Sequence, residues 1–391
     1  MLGSLLSLLC ALALVDDNPF AAPLIPHATG GTPIADSYIV VLKNNAAAPG
    51  FKTKFDSIAK KYNGRGRAPE IQREYTAIPG FHATFDAATL KAIQANPDVA
   101  YVEQDATITI QATQTSPPSW GLTRVGQQNL DLSQPYNYPD TAGSGVTAYI
   151  VDTGIYAAHS DFAGRATFGA NFISGSPNTD ENGHGTHVAG TIGGTKYGVA
   201  KKVKLVGVKV LSKSGSGSTS GVVAGMDWVA ARAVAGKSVV NMSLGGGKSQ
   251  AIDDAAARLY AKNIPLIVAA GNSDDDACDG SPAGAANTFT VGASDRYDAP
   301  AYFTSWGSCV EIFGPGVDIT SSWIGGTTAQ KTISGTSMAT PHVVGVAALY
   351  IAQGGLNTAQ AVFDKLVETA TPDVISGNLN GSPNLLVYNS A

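Results

Sequence analysis

Four residue types stand at the ends of apolar runs in this sequence, and together they suit acyl transfer. Ser337 lies in Gly335-Thr336-Ser337-Met338-Ala339-Thr340-Pro341-His342, ahead of an Ala- and Val-rich run that reaches Ile351. A helix starting there would surround the hydroxyl with outward N–H groups of partial positive charge. Alone, the serine is as readily a helix cap as a nucleophile. Asp152 follows the apolar Tyr149-Ile150-Val151, His184 sits in Asn182-Gly183-His184-Gly185-Thr186-His187, and Asn272 closes Val268-Ala269-Ala270-Gly271-Asn272. A serine hydroxyl is a weak nucleophile until a base takes its proton, and His184 is the candidate base. Asp152 would bind the far ring nitrogen and stabilise the imidazolium. The Asn272 side-chain amide and the Ser337 N–H would hold a tetrahedral oxyanion.

Those residues need a scaffold that gathers strand ends. Strands are expected at 146–151, 205–210, 238–244, 264–269 and 288–291. Helices are expected at 184–193, 220–235, 250–262 and 337–353. Near-continuous apolar strands alternating with helices predict an α/β fold, with a mainly parallel sheet covered on both faces. In such sheets, sites form at the carboxyl ends of the strands, where Asp152 and Asn272 fall. No G-x-G-x-x-G follows the first of these strands, which argues against a dinucleotide-binding reading.

The 391 residues, 44% hydrophobic, suffice for more than one folding unit. A net charge of −5 gives no basic field for nucleic acid, and no apolar run long enough to span a bilayer follows the N-terminus. Residues 1–15 read as a secretory signal, although a basic start is missing. Of three cysteines, Cys10 would leave with the signal. The remaining pair, Cys278 and Cys309, is expected to form a disulfide, worth about 3 kcal/mol in the chain-entropy model; two buried free thiols are the alternative. Residues 16–36 carry four prolines and read as a linker. Between 37 and 105 the pattern is strand, helix, strand, helix, strand, with a further strand near Tyr75. This is a small α+β unit of about 70 residues, a size that just supports a core. Ala106 to Pro118 is rich in Thr, Gln, Ser and Pro, nearly uncharged, and reads as a second linker open to proteolysis.

The motifs resemble a known family. Asp152-Thr153-Gly154, His184-Gly185-Thr186-His187-Val188-Ala189-Gly190 and the Ser337 octapeptide look like the three catalytic motifs of subtilisin-like serine proteases, in that family's chain order. Val291-Gly292-Ala293-Ser294-Asp295-Arg296-Tyr297-Asp298 and Ile312-Phe313-Gly314-Pro315-Gly316 resemble its proteinase K subgroup, and residues 38–105 look like its inhibitory propeptide. The resemblance implies a subtilisin-like three-layer fold behind a ferredoxin-like propeptide domain. It implies a catalytic domain over 112–391, with residues 16–111 as linker and propeptide. Ser243-Leu244-Gly245 and Ala269-Ala270-Gly271 resemble the walls of the primary specificity pocket, and Gly215-Ser216-Gly217 the edge that binds peptide by strand addition. Neither wall brings a charge, so a broad endopeptidase preferring apolar and aromatic side chains is expected.

The resemblance further implies a propeptide that assists folding, blocks its own enzyme and is cut near Gln111–Ala112. It implies a monomer acting on polypeptides, secreted or vacuolar, needing no cofactor for its chemistry. The rival reading is a catalytically inactive relative that binds peptide, against which stand four competent catalytic positions. The resemblance also implies a structural Ca²⁺ at Glu311, with the Ala286 and Thr288 carbonyls. Glu311 stands where the subgroup's usual residue is Asp, which shifts the oxygens by about a methylene. The Cys278/Cys309 pair departs from proteinase K itself and is similar to the pairing in cerevisin- and aqualysin-type relatives. His184 and His187 are three apart but lack a third metal ligand of suitable spacing. His187 is read as structural, and His159 and His342 have no chemical role assigned. Of two glycosylation sequons, Asn241-Met242-Ser243 falls at a strand end, and Asn380-Gly381-Ser382, in a loop, is the better candidate.

Overall fold

A computed structural model describes residues 21–25, 32–43, 48–62, 69–74, 79–107 and 111–391. The signal segment and Cys10 lie outside the described residues. Contacts divide the chain into two units, Met1–Thr109 and Ile110–Ala391.

The first unit runs strand Thr32–Leu42, helix Ala48–Tyr62, strands Glu70–Glu74 and Gly80–Thr84, helix Ala87–Gln94, strand Val99–Thr107. This is the β-α-β-β-α-β order of a ferredoxin-like fold. Strand Thr32–Leu42 pairs antiparallel with both Gly80–Thr84 and Val99–Thr107. The second helix is capped by Asp86, whose carboxylate accepts the Thr89 N–H at 2.8 Å. Val40, Phe55, Phe81, Phe85 and Ile93 fill the core. The ordered unit is longer than the expected 37–105. Leu24–Ile25 adds a parallel edge strand on Val102–Glu103, and the central strand already starts at Thr32. The prolines misled because Pro23 and Pro33 sit beside or early in strands, where a missing N–H is tolerated.

The second unit is built on a nine-stranded sheet. Its spatial order is 371–372, 385–386, 312–315, 289–294, 266–269, 238–242, 147–152, 204–209, 166–171. Every pairing is parallel except that of the first two strands. Alternation along Thr147–Asp152 divides the core. Ala148 and Ile150 join the cluster with Val188, Ile192, Val343 and Ala347, while Tyr149 and Val151 join that with Val222, Met226 and Leu259. Helices therefore cover both faces, giving three layers. After Thr147–Asp152 the chain runs to the edge strand 166–171, returns to 204–209 between these two, then crosses to 238–242 and proceeds the other way. The reversal lies between 147–152 and 238–242, the kind of switch point at which open α/β sheets form their sites.

Helix Thr336–Gln353 is buried almost all round beneath this sheet. No helix among the described residues is long and apolar enough to cross a membrane. Sequence periodicity missed strands Ala166–Asn171 and Ile312–Pro315 and helix Ala359–Thr369. The stretch expected as a linker is also only partly irregular, because Gln111–Gln114 pairs antiparallel with Tyr136–Pro139. Its alternating Gln and Thr residues have a partner strand the local pattern could not reveal. Cys278 and Cys309 are joined, with Cα atoms 5.3 Å apart.

Candidate active site

Strand Thr147–Asp152 delivers its last residue, fully buried, to the carboxyl edge of the sheet. A buried carboxylate needs partners. Asp152 Oδ1 accepts the Thr153 N–H at 2.7 Å, and His184 Nδ1 lies 2.8 and 3.0 Å from its two oxygens. That geometry puts a proton on Nδ1 and turns Nε2 toward a cleft. Burial alone would lower the His184 pKa, but the Asp152 charge and hydrogen bond, with Asp180 farther off, raise it above its usual 6.5.

The helix that carries His184 owes its start to a residue not singled out in the sequence. Asp180 is buried and accepts five hydrogen bonds: from the Thr153 hydroxyl, from the N–H groups of Asn182, Gly183 and Thr186, and from the Thr186 hydroxyl. An acid just ahead of a helix start was the available signal. Gly183 takes φ +107, and a Cβ there would meet the Trp323 ring at 2.4 Å. A side chain at 183 would therefore shift the histidine.

Asn272 follows strand Leu266–Ala269. Its Oδ1 accepts both the Thr336 N–H (2.8 Å) and the Thr336 hydroxyl (2.9 Å), which leaves its two Nδ2 hydrogens for a ligand. Gly271 before it adopts φ +120, with the Ser305 hydroxyl 2.7 Å from where a Cβ would be.

Ser337 lies in the first turn of its helix, where N–H groups have no intrahelical partner. Its hydroxyl donates to the Ser243 carbonyl at 3.0 Å, and the Ser243 hydroxyl donates to the Ser337 carbonyl at 3.0 Å. Ser337 Oγ and His184 Nε2 are not hydrogen-bonded to each other, although both residues line one cleft of about 560 Å³. Such contacts are often long before substrate binds.

That cleft runs between Gly215–Gly217 and Ser243–Gly245, and it opens into a second hollow of about 510 Å³. Leu244, Gly245, Ala269, Ala270 and Gly271 line the second hollow beside Asn272 and Ser337. The nine expected substrate-binding positions thus fall around the two cavities. The second one is also lined by Asp275, Asp276 and Asp279, which sequence reading missed. Asp275 is engaged by the Ser305 hydroxyl and Asp276 by the Cys278 N–H, whereas Asp279 is exposed.

Other expectations separate from this site. His187 Nε2 faces the carbonyl oxygens of Ile319 (3.0 Å) and Lys331 (3.2 Å), and burial holds its pKa down to about 3. It is a neutral donor to carbonyls, which fits the structural reading and not a metal ligand. Burial likewise lowers His342 to about 4, and its Nδ1 lies 2.9 Å from the Met338 carbonyl. Among the described residues, no group of three or more His, Cys, Asp or Glu gathers around one point. Glu311 is half-buried, and its carboxyl accepts the Thr290 N–H; desolvation pushes its pKa up to about 8. A partly desolvated carboxyl with a raised pKa fits a cation at that position. Thr288 and Ala286 lie just ahead of strand Phe289–Ser294, which pairs with Ile312–Pro315 next to Glu311. Asn241 is fully buried, whereas Asn380 is exposed.

A model of the Subtilase family matches residues 143–385, a span that holds all four candidate catalytic residues. The chain belongs to the subtilase family. A Peptidase inhibitor I9 model matches residues 37–111, so this subtilase carries an inhibitor-type propeptide domain of its own. A cuticle-degrading serine protease of Arthrobotrys oligospora is 44% identical, over 99% of this chain and 98% of the relative. The subtilisin-like serine protease Pen c 1 of Penicillium citrinum is 43% identical, over 97% and 96%. The crystal structure of a cold adapted subtilisin-like serine proteinase shares 48% identity and a TM-score of 0.68. It covers 71% of this subtilase and all of that chain. The subtilase is accordingly a serine protease of the subtilisin type, made with a propeptide.

Proposed function

We propose that this protein is a secreted, self-activating endopeptidase of broad specificity, with Asp152, His184 and Ser337 as its triad and Asn272 in its oxyanion hole. The observation that carries the reading is the buried Asp152 carboxylate bound to His184 Nδ1, with Nε2 facing the cleft that Ser337 lines. With substrate bound, Ser337 Oγ turns from the Ser243 carbonyl to the scissile carbonyl carbon, and His184 Nε2 takes its proton. The oxyanion receives the Asn272 Nδ2–H and the Ser337 N–H. Collapse breaks the C–N bond as His184 returns the proton to the leaving amine. Water, deprotonated by His184, then cleaves the acyl ester and restores Ser337.

The exposed Gly215–Gly217 segment would bind extended peptide through main-chain hydrogen bonds, which tolerate many sequences. The uncharged walls at Ser243–Gly245 and Ala269–Gly271 favour apolar and aromatic side chains at the cleaved position. Residues from about 20 to 111 would act as folding aid and intramolecular inhibitor until cleavage near Gln111–Ala112. A Ca²⁺ held by Glu311 and the Ala286 and Thr288 carbonyls would neutralise a half-buried carboxyl and take no part in the chemistry.

The test is labelling with a serine-directed phosphonyl reagent, followed by mapping of the adduct. A single adduct on Ser337 with loss of peptidase activity is expected. An unlabelled Ser337 in folded, propeptide-free protein would establish the inactive, peptide-binding alternative instead.

A further inference from the structure

Apart from the catalytic cleft, the second unit has a smaller hollow of about 290 Å³ with aromatic walls. Tyr302, Trp306 and Phe313 supply rings, Asp274 and Asn378 supply polar atoms, and Asn380 stands in its lining. Tyr302 is 89% exposed, and Phe303 meets its ring edge-on at 5.2 Å. The Trp306 indole is fixed by donation from Nε1 to the Asp274 carboxylate at 3.0 Å. An exposed tyrosine and a hydrogen-bonded indole beside a few polar groups are the chemistry that receives a pyranose. Its C–H face is apolar, and its hydroxyls need hydrogen-bond partners.

Asn380 lies in a turn that is closed by the Ser382 N–H on the Leu379 carbonyl at 2.9 Å. Asn380 and Gly381 have φ of 47° and 87°, the signs of a type I′ turn. The Asn378 amide donates to Asn380 Oδ1 at 2.6 Å. The Asn380 oxygen is therefore engaged within the loop, and its Nδ2 is the atom left to face outward. In the folded chain the Ser382 hydroxyl accepts the Gly307 N–H at 2.9 Å, so the sequon would be read before this turn closes.

We propose that Asn380 carries an N-linked glycan, and that the hollow beside it seats the first N-acetylhexosamine. A lipid-diphosphate oligosaccharide in the secretory lumen is the donor. The C1–Nδ2 bond forms, the C1–O bond to the diphosphate breaks, and the amide proton leaves with the lipid diphosphate. The inference rests on the secreted reading of the chain and not on its catalytic residues.

The test uses the full-length Ser337→Ala chain, led by a signal segment of a eukaryotic secretory host so that entry does not depend on residues 1–15. Mass spectrometry of the secreted protein should find hexosamine on the Asn380 peptide, and none in Asn380→Gln. An amidase that removes N-glycans should convert Asn380 to Asp. Secreted protein with Asn380 unmodified overturns the site. For the seat, that enzyme should act about tenfold more slowly on native than on denatured protein. Tyr302→Ala, at a position too exposed to threaten folding, should remove most of that protection. Equal native and denatured rates, or protection unchanged in Tyr302→Ala, overturn the seat.

Discussion

Ser243 and Ser337 exchange hydrogen bonds in both directions, each hydroxyl donating to the other's carbonyl at 3.0 Å. Pro341 explains half of the exchange. In a regular helix the N–H of residue 341 would donate to the carbonyl of 337. Proline has no N–H, so that carbonyl is orphaned, and the Ser243 hydroxyl supplies the missing donor. Ser243→Ala should cost about 1–2 kcal/mol, the usual scale for an acceptor stripped of its partner. The Ser337 hydroxyl keeps its backbone partner, so kcat should fall only a few-fold. Pro341→Ala restores a donor within the helix. Thermal melts of both single variants and the double variant should therefore show Ser243→Ala costing clearly less in the Pro341→Ala background. Strict additivity would rule out the compensation.

His184 sets the pH dependence. Its folded pKa is raised above 6.5, because Asp152 outweighs the effect of burial. The free enzyme needs the neutral base, so the acid limb of kcat/KM should lie above pH 6.5. Asp152→Asn should move the limb down and cut kcat by roughly 10⁴, as in the equivalent change in another Ser-His-Asp protease. Stability follows the opposite sign. The raised pKa stabilises the folded state fully below pH 6.5, and that increment disappears as pH rises through the folded value. Paired pH–rate and pH–melting profiles of the propeptide-free enzyme would check both signs.

Asn272 is held in register by Thr336, whose N–H and hydroxyl both donate to its Oδ1. Asn272→Asp keeps that acceptor but loses both Nδ2 hydrogens. We expect kcat to fall by at least the roughly 10²–10³-fold measured for the oxyanion asparagine of subtilisin itself, with KM little changed. Thr336→Val should weaken the same step by freeing the amide to rotate, while leaving the Nδ2 donors present. Steady-state kinetics on one peptide substrate would separate these effects. A KM change without a kcat change would remove Asn272 from the oxyanion hole.

What the sequence made legible was local. Asp152, His184, Asn272 and Ser337 stand beside apolar runs, and the sheet brings those run ends to one edge. The small α+β unit was readable in its strand and helix order from Phe81 to Val102, whereas its ferredoxin-like topology was implied by the resemblance. What escaped lay in long-range partners. Asp180 has meaning only once Thr153 and Thr186 surround it. Trp323 matters because Gly183 lies under its ring. The Gln111–Gln114 strand depends on Tyr136–Pro139, and the carbonyl that Pro341 leaves without a helical donor is met by Ser243 across 94 residues. The acidic lining of the second hollow was missed for a different reason: the segments that resemble pocket walls carry no charge, and Asp279 comes from the loop beyond them.

That loop refines the substrate prediction. Apolar and aromatic side chains should still dominate at the cleaved position, since Ala269, Ala270 and Leu244 line the hollow. A long basic side chain could bury its stem along them and bring its charged head to Asp279. Lys and Arg should thus be cleaved measurably, and Asp279→Asn should lower their kcat/KM a few-fold while leaving Phe and Leu unaltered. The effect should shrink with added salt, because Asp279 is exposed. A substrate library profiled on both proteins is the measurement. Unchanged discrimination would mean that the basic head never reaches Asp279.

Glu311 ties calcium to pH. Its folded pKa is pushed up to about 8 by burial, against 4.5 for an ordinary glutamic acid. Below pH 4.5 both folded and unfolded chains hold the proton, and no penalty arises. Between 4.5 and 8 the unfolded chain releases it while the folded chain retains it, so metal-free protein loses stability as pH rises through this window. Ca²⁺ bound at the ionised carboxylate would cancel that loss, and its own binding must displace the proton. The stabilisation by saturating Ca²⁺ over chelator should consequently be small near pH 5 and grow toward pH 8. Glu311→Gln should melt higher than wild type in chelator at pH 8 and should lose the calcium response. Melting the Ser337→Ala chain, to limit self-digestion, with and without chelator at both pH values tests each part. A calcium response that persists in Glu311→Gln would locate the ion elsewhere.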